Sequence, residues 1–271
     1  MRQTELADPD HEPARLPANK PIIRILRRDD LMLVLSAGWR DFKEAPRFGL
    51  ALSALYVLGG WALIGLATAM NMHYFIYPLA TGFALIAPFV AAMLYEVSRR
   101  IETGAELSWS AIFTSVKQSS LRDLGWMALV TTFAFLIWID CAVFLFLMIF
   151  GLHLPTPQEF LTIVLSTQQG LIFLIIGNIA GALIATVIFS ITVVSFPLLL
   201  DRDIDFVTAM IASVQAVKVN RLQMLSWAFL IGLFLATSLV TGLMSLLLTL
   251  PLIGHSTWHL YRLIIEPQHK T

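Results

Sequence analysis

The sequence predicts an all-α, polytopic membrane protein with six transmembrane helices. Composition is the first observation behind this. Hydrophobic residues make up 58% of the 271 residues and charged ones only 13%, about half the charged share of an ordinary soluble domain. Mean hydropathy is +0.78. The second observation is where basic residues are missing. None occurs between Arg47 and Arg99, between Arg122 and Arg202, or between Arg221 and Arg262. The last gap, as continuous helix, would run roughly 60 Å at 1.5 Å per residue, against a hydrocarbon core of about 30 Å. Each gap therefore holds two crossings and returns the chain to its starting side. Third, all 18 Lys and Arg residues then fall on one side, which the positive-inside rule makes the cytoplasm.

In chain order, residues 1–24, with prolines at 9, 13, 17 and 21, read as a disordered cytoplasmic tail. No signal peptide is expected, because the first apolar run, Phe48 to Met70, is too long for a cleaved segment and suits an anchor. The membrane domain covers 25–265, with spans near 48–70, 73–95, 126–150, 171–199, 224–241 and 243–261, and a short tail at 266–271. The last two spans turn near Thr241 and Gly242. The outer segment Gly151 to Gly170 reads either as a short helix beginning at Pro155-Thr-Pro157 or as an irregular loop.

Three amphipathic stretches precede span pairs. Leu31, Val34, Leu35 and Phe42 oppose Asp30, Arg40, Asp41 and Lys43 in the first. Trp109, Ile112, Phe113 and Val116 form the apolar side of the second, and Phe206, Met210, Val214 and Val217 that of the third. The pattern suggests three repeats of interfacial helix plus helical hairpin. Pro88 and Arg99 are eleven residues apart, as are Pro251 and Arg262.

Net charge is zero, so no basic field draws nucleic acid, and the single Cys141 excludes an internal disulfide. No phosphate-binding loop, dinucleotide fingerprint, HExxH, GxSxG or CxxC occurs. Asp140 is the one ionisable side chain deep within a span, where a central Asp costs about 2.5–3.5 kcal/mol. Asn178 reaches a similar depth, so an Asp140–Asn178 hydrogen bond is one reading and a proton or cation relay the other. Gly177 and Gly181 suit close helix packing. His255 and His259, four residues apart on the last span, either ligate a haem or metal ion or anchor the helix end with Trp258, Tyr261 and Arg262. The pattern requires no cofactor. Charges at Arg99-Arg100, Glu102 and Asp201-Arg202-Asp203 read as topology signals and local ion pairs, with Glu96 and Asp201 at the same level as the histidines.

Several blocks resemble a bacterial integral membrane family of unknown function, domain of unknown function 2189, sometimes labelled a cytochrome c oxidase subunit I. They are Gly38-Trp-Arg-Asp-Phe42 with Pro46, Tyr77-Pro78-Leu79 with Gly82-Phe83 and Pro88, and Leu94-Tyr-Glu-Val-Ser-Arg-Arg-Ile-Glu102. Ser195-Phe-Pro197 with Asp201-Arg202, and Gly254-His-Ser-Thr-Trp-His-Leu-Tyr-Arg262, complete the set. The resemblance covers about residues 25–265 and implies a six-span inner-membrane protein without established activity or site residues. The leading expectation is a non-enzymatic interaction or assembly component, with the lipid bilayer and other membrane proteins as partners. A small channel or transporter using Asp140, and a haem- or metal-binding accessory of a respiratory complex using His255 and His259, are the alternatives.

Overall fold

The computed structural model describes residues 21–70, 83, 87–119, 123–152 and 156–267. Among these every named element is an α-helix, and the sole β-contact is an antiparallel bridge between Ile23 and Ile265. The N-terminal tail to residue 20, residues 268–271 and most of the expected second span lie outside the described residues.

In chain order the helices are α1 (Asp30–Glu44), α2 (Pro46–Ala69), α3 (Ala87–Thr103), α4 (Trp109–Ser119), α5 (Gly125–Phe150), α6 (Pro157–Ser166), α7 (Gln168–Thr192), α8 (Ser195–Asp201), α9 (Phe206–Val219), α10 (Arg221–Val240) and α11 (Leu246–Ile264). Four stretches are long and apolar enough to cross a membrane: Pro46–Ala69, Gly125–Phe150, Gln168–Asp201 and Arg221–Val240. The expected sixth span, α11, is helical but is not among them. Its second half carries His255, Ser256, Thr257, His259 and Arg262, and buries most of that surface in protein.

α11 is the hub. It packs against α1, α2, α3, α8 and α10. Along α3 it runs with steps of one helical turn. Gly254 lies against Leu94, His255 against Ser98, and Trp258 against Glu102. The approach of α1 is closer still. A Cβ on Gly38 would stand 2.0 Å from Ser256 Oγ and 2.6 Å from its backbone nitrogen, and one on Gly254 would stand 2.5 Å from Leu94 Cδ1. Only glycine fits there, since a protein interior has no slack for an extra methyl.

The chain reverses between α10 and α11 at 241–245 as expected, with Gly242 and Leu243 both at positive φ. The outer segment resolves as the helical alternative. Thr156 caps α6 by accepting from Glu159 N–H while the Glu159 carboxylate accepts from Thr156 N–H, a capping box with Pro157 at the first helical position. The break between α7 and α8 follows from Pro197, which cannot donate to the turn before it. Val194 N–H donates instead to Ser213 Oγ at 3.1 Å.

The third amphipathic helix differs in its face. α9 buries Ala209, Ala212, Ser213 and Ala216, with Phe206, Met210, Val214 and Val217 half-buried beside them. Small residues let α9 approach α7 and α8 closely, so the large side chains flank the contact instead of filling it.

Candidate functional site

The polar residues of the structure gather at one end of the bundle, around the second half of α11. α11 offers His255, Trp258, His259, Tyr261 and Arg262 there. Asp41 comes from α1, Ser98 and Glu102 from α3, and Asp201 from the end of α8. All belong to the sequence blocks that carry the family resemblance.

Asp41 is 1% exposed. Its Oδ2 pairs with His259 Nε2 at 2.7 Å, and Arg40 approaches Oδ1 at 3.4 Å. Burial raises the pKa of this carboxyl, but hydrogen bonds from His259 and Ser98 and the nearby imidazoles outweigh it, so Asp41 is held below the ordinary carboxylate range. The helical pattern set Asp41 on the polar face of α1. The structure corrects that: close packing at Gly38 brings α1 onto α11, and the carboxylate finds its partner there.

Around this pair sits a ring of ion pairs. Glu96 is fully buried and receives Arg99 Nε at 2.7 Å and Arg100 Nε at 2.7 Å. The Glu96 hydrogen bond raises the Arg99 pKa. The sequence grouped Arg99 and Arg100 with Glu102, but their carboxylate partner is Glu96, one turn earlier on the same helix. Glu102 and Asp201 do more, reaching α11. Glu102 accepts from Trp258 Nε1 at 3.0 Å and from Arg262 at 2.7 Å. Asp201 accepts from Tyr261 Oη at 2.5 Å and lies 3.5 Å from Arg262 Nη1. A cavity of about 420 Å³ opens beside this ring, lined by Arg40, Asp41, Glu44, Ile101, Glu102, His259 and Arg262.

His255 is wholly buried, with Nδ1 2.8 Å from Ser98 Oγ and Nε2 without a hydrogen-bond partner among the described residues. The two histidines thus turn to different elements, His255 to α3 and His259 to α1. Among the described residues no group of three or more His, Cys, Asp and Glu side chains is placed to hold a metal ion. Ser98 and His255 have the residue types of a nucleophile and its base, and both are fully buried.

Asp140 and Asn178 are not brought together. Asn178 donates to its own helix, at Leu174 O, 2.8 Å, and Asp140 is exposed on α5. The physical reason is the seam between α5 and α7, which is set by Gly177 against Leu145 and Gly181 against Trp138. Asp140 lies two residues, about 200°, beyond Trp138 on a helix of 3.6 residues per turn. It therefore points away from α7. The small-residue packing read from Gly177 and Gly181 is the feature that places it there.

Residues 76–201 match the family model described as predicted integral membrane protein (DUF2189). That is the family the sequence resembles. DUF2189 is an integral membrane family of unknown function, and its matched segment runs through α3 to α8, carrying Ser98, Glu102, Asp140 and Asp201. No curated protein and no solved structure matches the chain.

Proposed function

We propose that this DUF2189 protein is a six-span component of a bacterial inner membrane, with both termini cytoplasmic, that works by binding other membrane proteins rather than by catalysis. One observation carries the binding role. The most apolar eighteen-residue stretches of α5 and of the α7–α8 run have none of their residues buried within the chain. The foot of α5 is anchored, with Leu124 and Met127 in the core, and the rest is a helical hairpin offered to its surroundings.

The span count is supported by the polar ring. Asp41 meets His259, Glu102 meets Arg262, and Asp201 meets Arg262. Residues 41, 102, 201 and 262 therefore share one end of the molecule, so each intervening segment leaves and returns. A short helix precedes long ones three times, at α1, α4 and α9, with the short α6 set between the long helices of the middle unit. Clustered Lys and Arg residues at that end favour the cytoplasmic side.

Purification of the tagged full chain in mild detergent tests this reading. A membrane protein recovered in stoichiometric amount supports it, and a monomer with nothing above an untagged control rejects it. A second reading, a haem- or metal-binding accessory of a respiratory complex, is favoured by buried His255, whose Nε2 has no hydrogen-bond partner among the described residues. A reduced-minus-oxidised visible spectrum with metal analysis decides it. Signal lost in both His255→Ala and His259→Ala supports a bound group, and a colourless, metal-free protein removes it. Asp140 faces outward, which suits a contact role better than the lining of a passage.

A further inference from the structure

We infer that the Asp140 face of α5 docks a transmembrane helix of another protein carrying a Lys or Arg side chain at mid-bilayer depth. The inference rests on the assembly reading and names the chemistry of the partner.

The face is well defined. Phe133, Leu136, Ile137, Asp140 and Phe144 recur at spacings of three and four, so they form one stripe along α5. All are exposed, Phe133 by 65% and Phe144 by 66%. The opposite side of α5 is committed to α7 through Trp138 and Leu145. The stripe is thus apolar and uncovered, with one carboxyl at its centre. Asp140 makes no side-chain hydrogen bond among the described residues.

Ionisable groups at such depth are found paired or facing the interior of an assembly, because hydrocarbon solvates neither an acid nor a base. The sequence places no basic residue of its own at that depth. No Lys or Arg lies between Arg122 and Arg202, nor within any of the expected spans. A second copy packed through the same stripe brings another carboxyl instead of a base, so at most one of the two can stay ionised there. A basic side chain on a partner helix cancels the charge, and is itself as poorly solvated in lipid as the acid. Complementary charge in a low dielectric makes each group the other's best available partner.

The native chain supplies the reporter. Cys141, its only cysteine, is exposed and adjoins Asp140. The full chain is co-expressed with single-span probe helices of polyleucine that carry one cysteine at mid-depth. One probe has a central Arg and the other has Leu in its place. Disulfide formation with Cys141 is read in isolated membranes under mild oxidation. The expected result is about tenfold more cross-link to the Arg probe than to the Leu probe, in line with the 1–2 kcal/mol measured for polar contacts between membrane helices. Asp140→Leu abolishes that preference and Asp140→Glu keeps it, while the background with the Leu probe stays the same in all three proteins and reports intact insertion. Equal yields from the two probes overturn the inference. So does an Arg preference that survives Asp140→Leu, or a Cys141–Cys141 dimer that dominates in wild type, which would assign the face to a second copy. A natural partner that co-purifies equally with Asp140→Leu keeps the assembly reading and rejects this one.

Discussion

Asp41 stands beside Arg40 and near Lys43 in the helical pattern of α1, and is nonetheless among the least exposed residues of the protein. Its carboxylate is held below the ordinary range, so its contribution is fully present above the unfolded pKa of about 3.9 and is lost as pH falls through the lower folded value. We expect the melting temperature in detergent to lose an Asp41-dependent part only below about pH 4. Asp41→Asn should remove that part and cost about 1–3 kcal/mol near neutrality, the usual penalty for weakening a buried charged contact. Parallel melting curves of wild type and variant between pH 3 and 7 check this, and identical acid limbs would refute it. The sequence could not show Asp41 buried, because helical periodicity assigns a polar face without knowing what covers it. Gly38, three residues earlier, was the available signal: a glycine inside an amphipathic helix implies a close neighbour. The histidines were legible as a pair on one helix, but not as the partners of two different elements.

At the scale of elements, the helices most readable from sequence are those whose apolar stretches are least buried. α5, α7 and α10 are bounded by charges or glycine and run apolar throughout, so length and composition suffice. Elements that share a tertiary contact were less readable. α9 turned its alanines inward, and the segment before α1 gave no pattern at all. Much of the stitching of that segment passes through Asn220. Asn220, at the junction of α9 and α10, accepts from Leu26 N–H at 2.7 Å and donates to Arg24 O at 3.0 Å, while Gln223 donates to Leu26 O. Asn220 is itself buried. Asn220→Ala therefore leaves backbone groups of the 24–26 segment unpaired, at about 1–3 kcal/mol, and should free that segment before it unfolds the bundle. Limited trypsin digestion at Arg24, Arg27 and Arg28 is expected to be faster in Asn220→Ala with the helices still intact. Unchanged cleavage would show that the Ile23–Ile265 bridge and Gln223 hold the segment without Asn220.

For the molecule as a whole, the six-span topology makes a prediction about sides. In a Cys141→Ala background, cysteines at Leu152 and Val240 should react with a membrane-impermeant maleimide on intact cells. Both positions are strongly exposed. Cysteines at Glu106 and Lys218 should react only after permeabilisation, and a cysteine placed after Thr271 should behave like them. Reaction of that last cysteine on intact cells would mean that α11 does not cross. The central place of α11 bears on how the protein is made. Helices emerge from the ribosome in order, and membrane spans are released into lipid as they are synthesised. Here the element that Asp41, Ser98, Glu102 and Asp201 all require is translated after every one of them. Until it arrives, α1 and α3 carry acidic groups with no destination, however long they have been in the membrane. A premature stop just before Leu246 thus leaves inserted helices without the partner that their acidic groups share. Such a product, with its unpaired acids displayed at the membrane surface, is what a membrane protease could distinguish from the finished molecule.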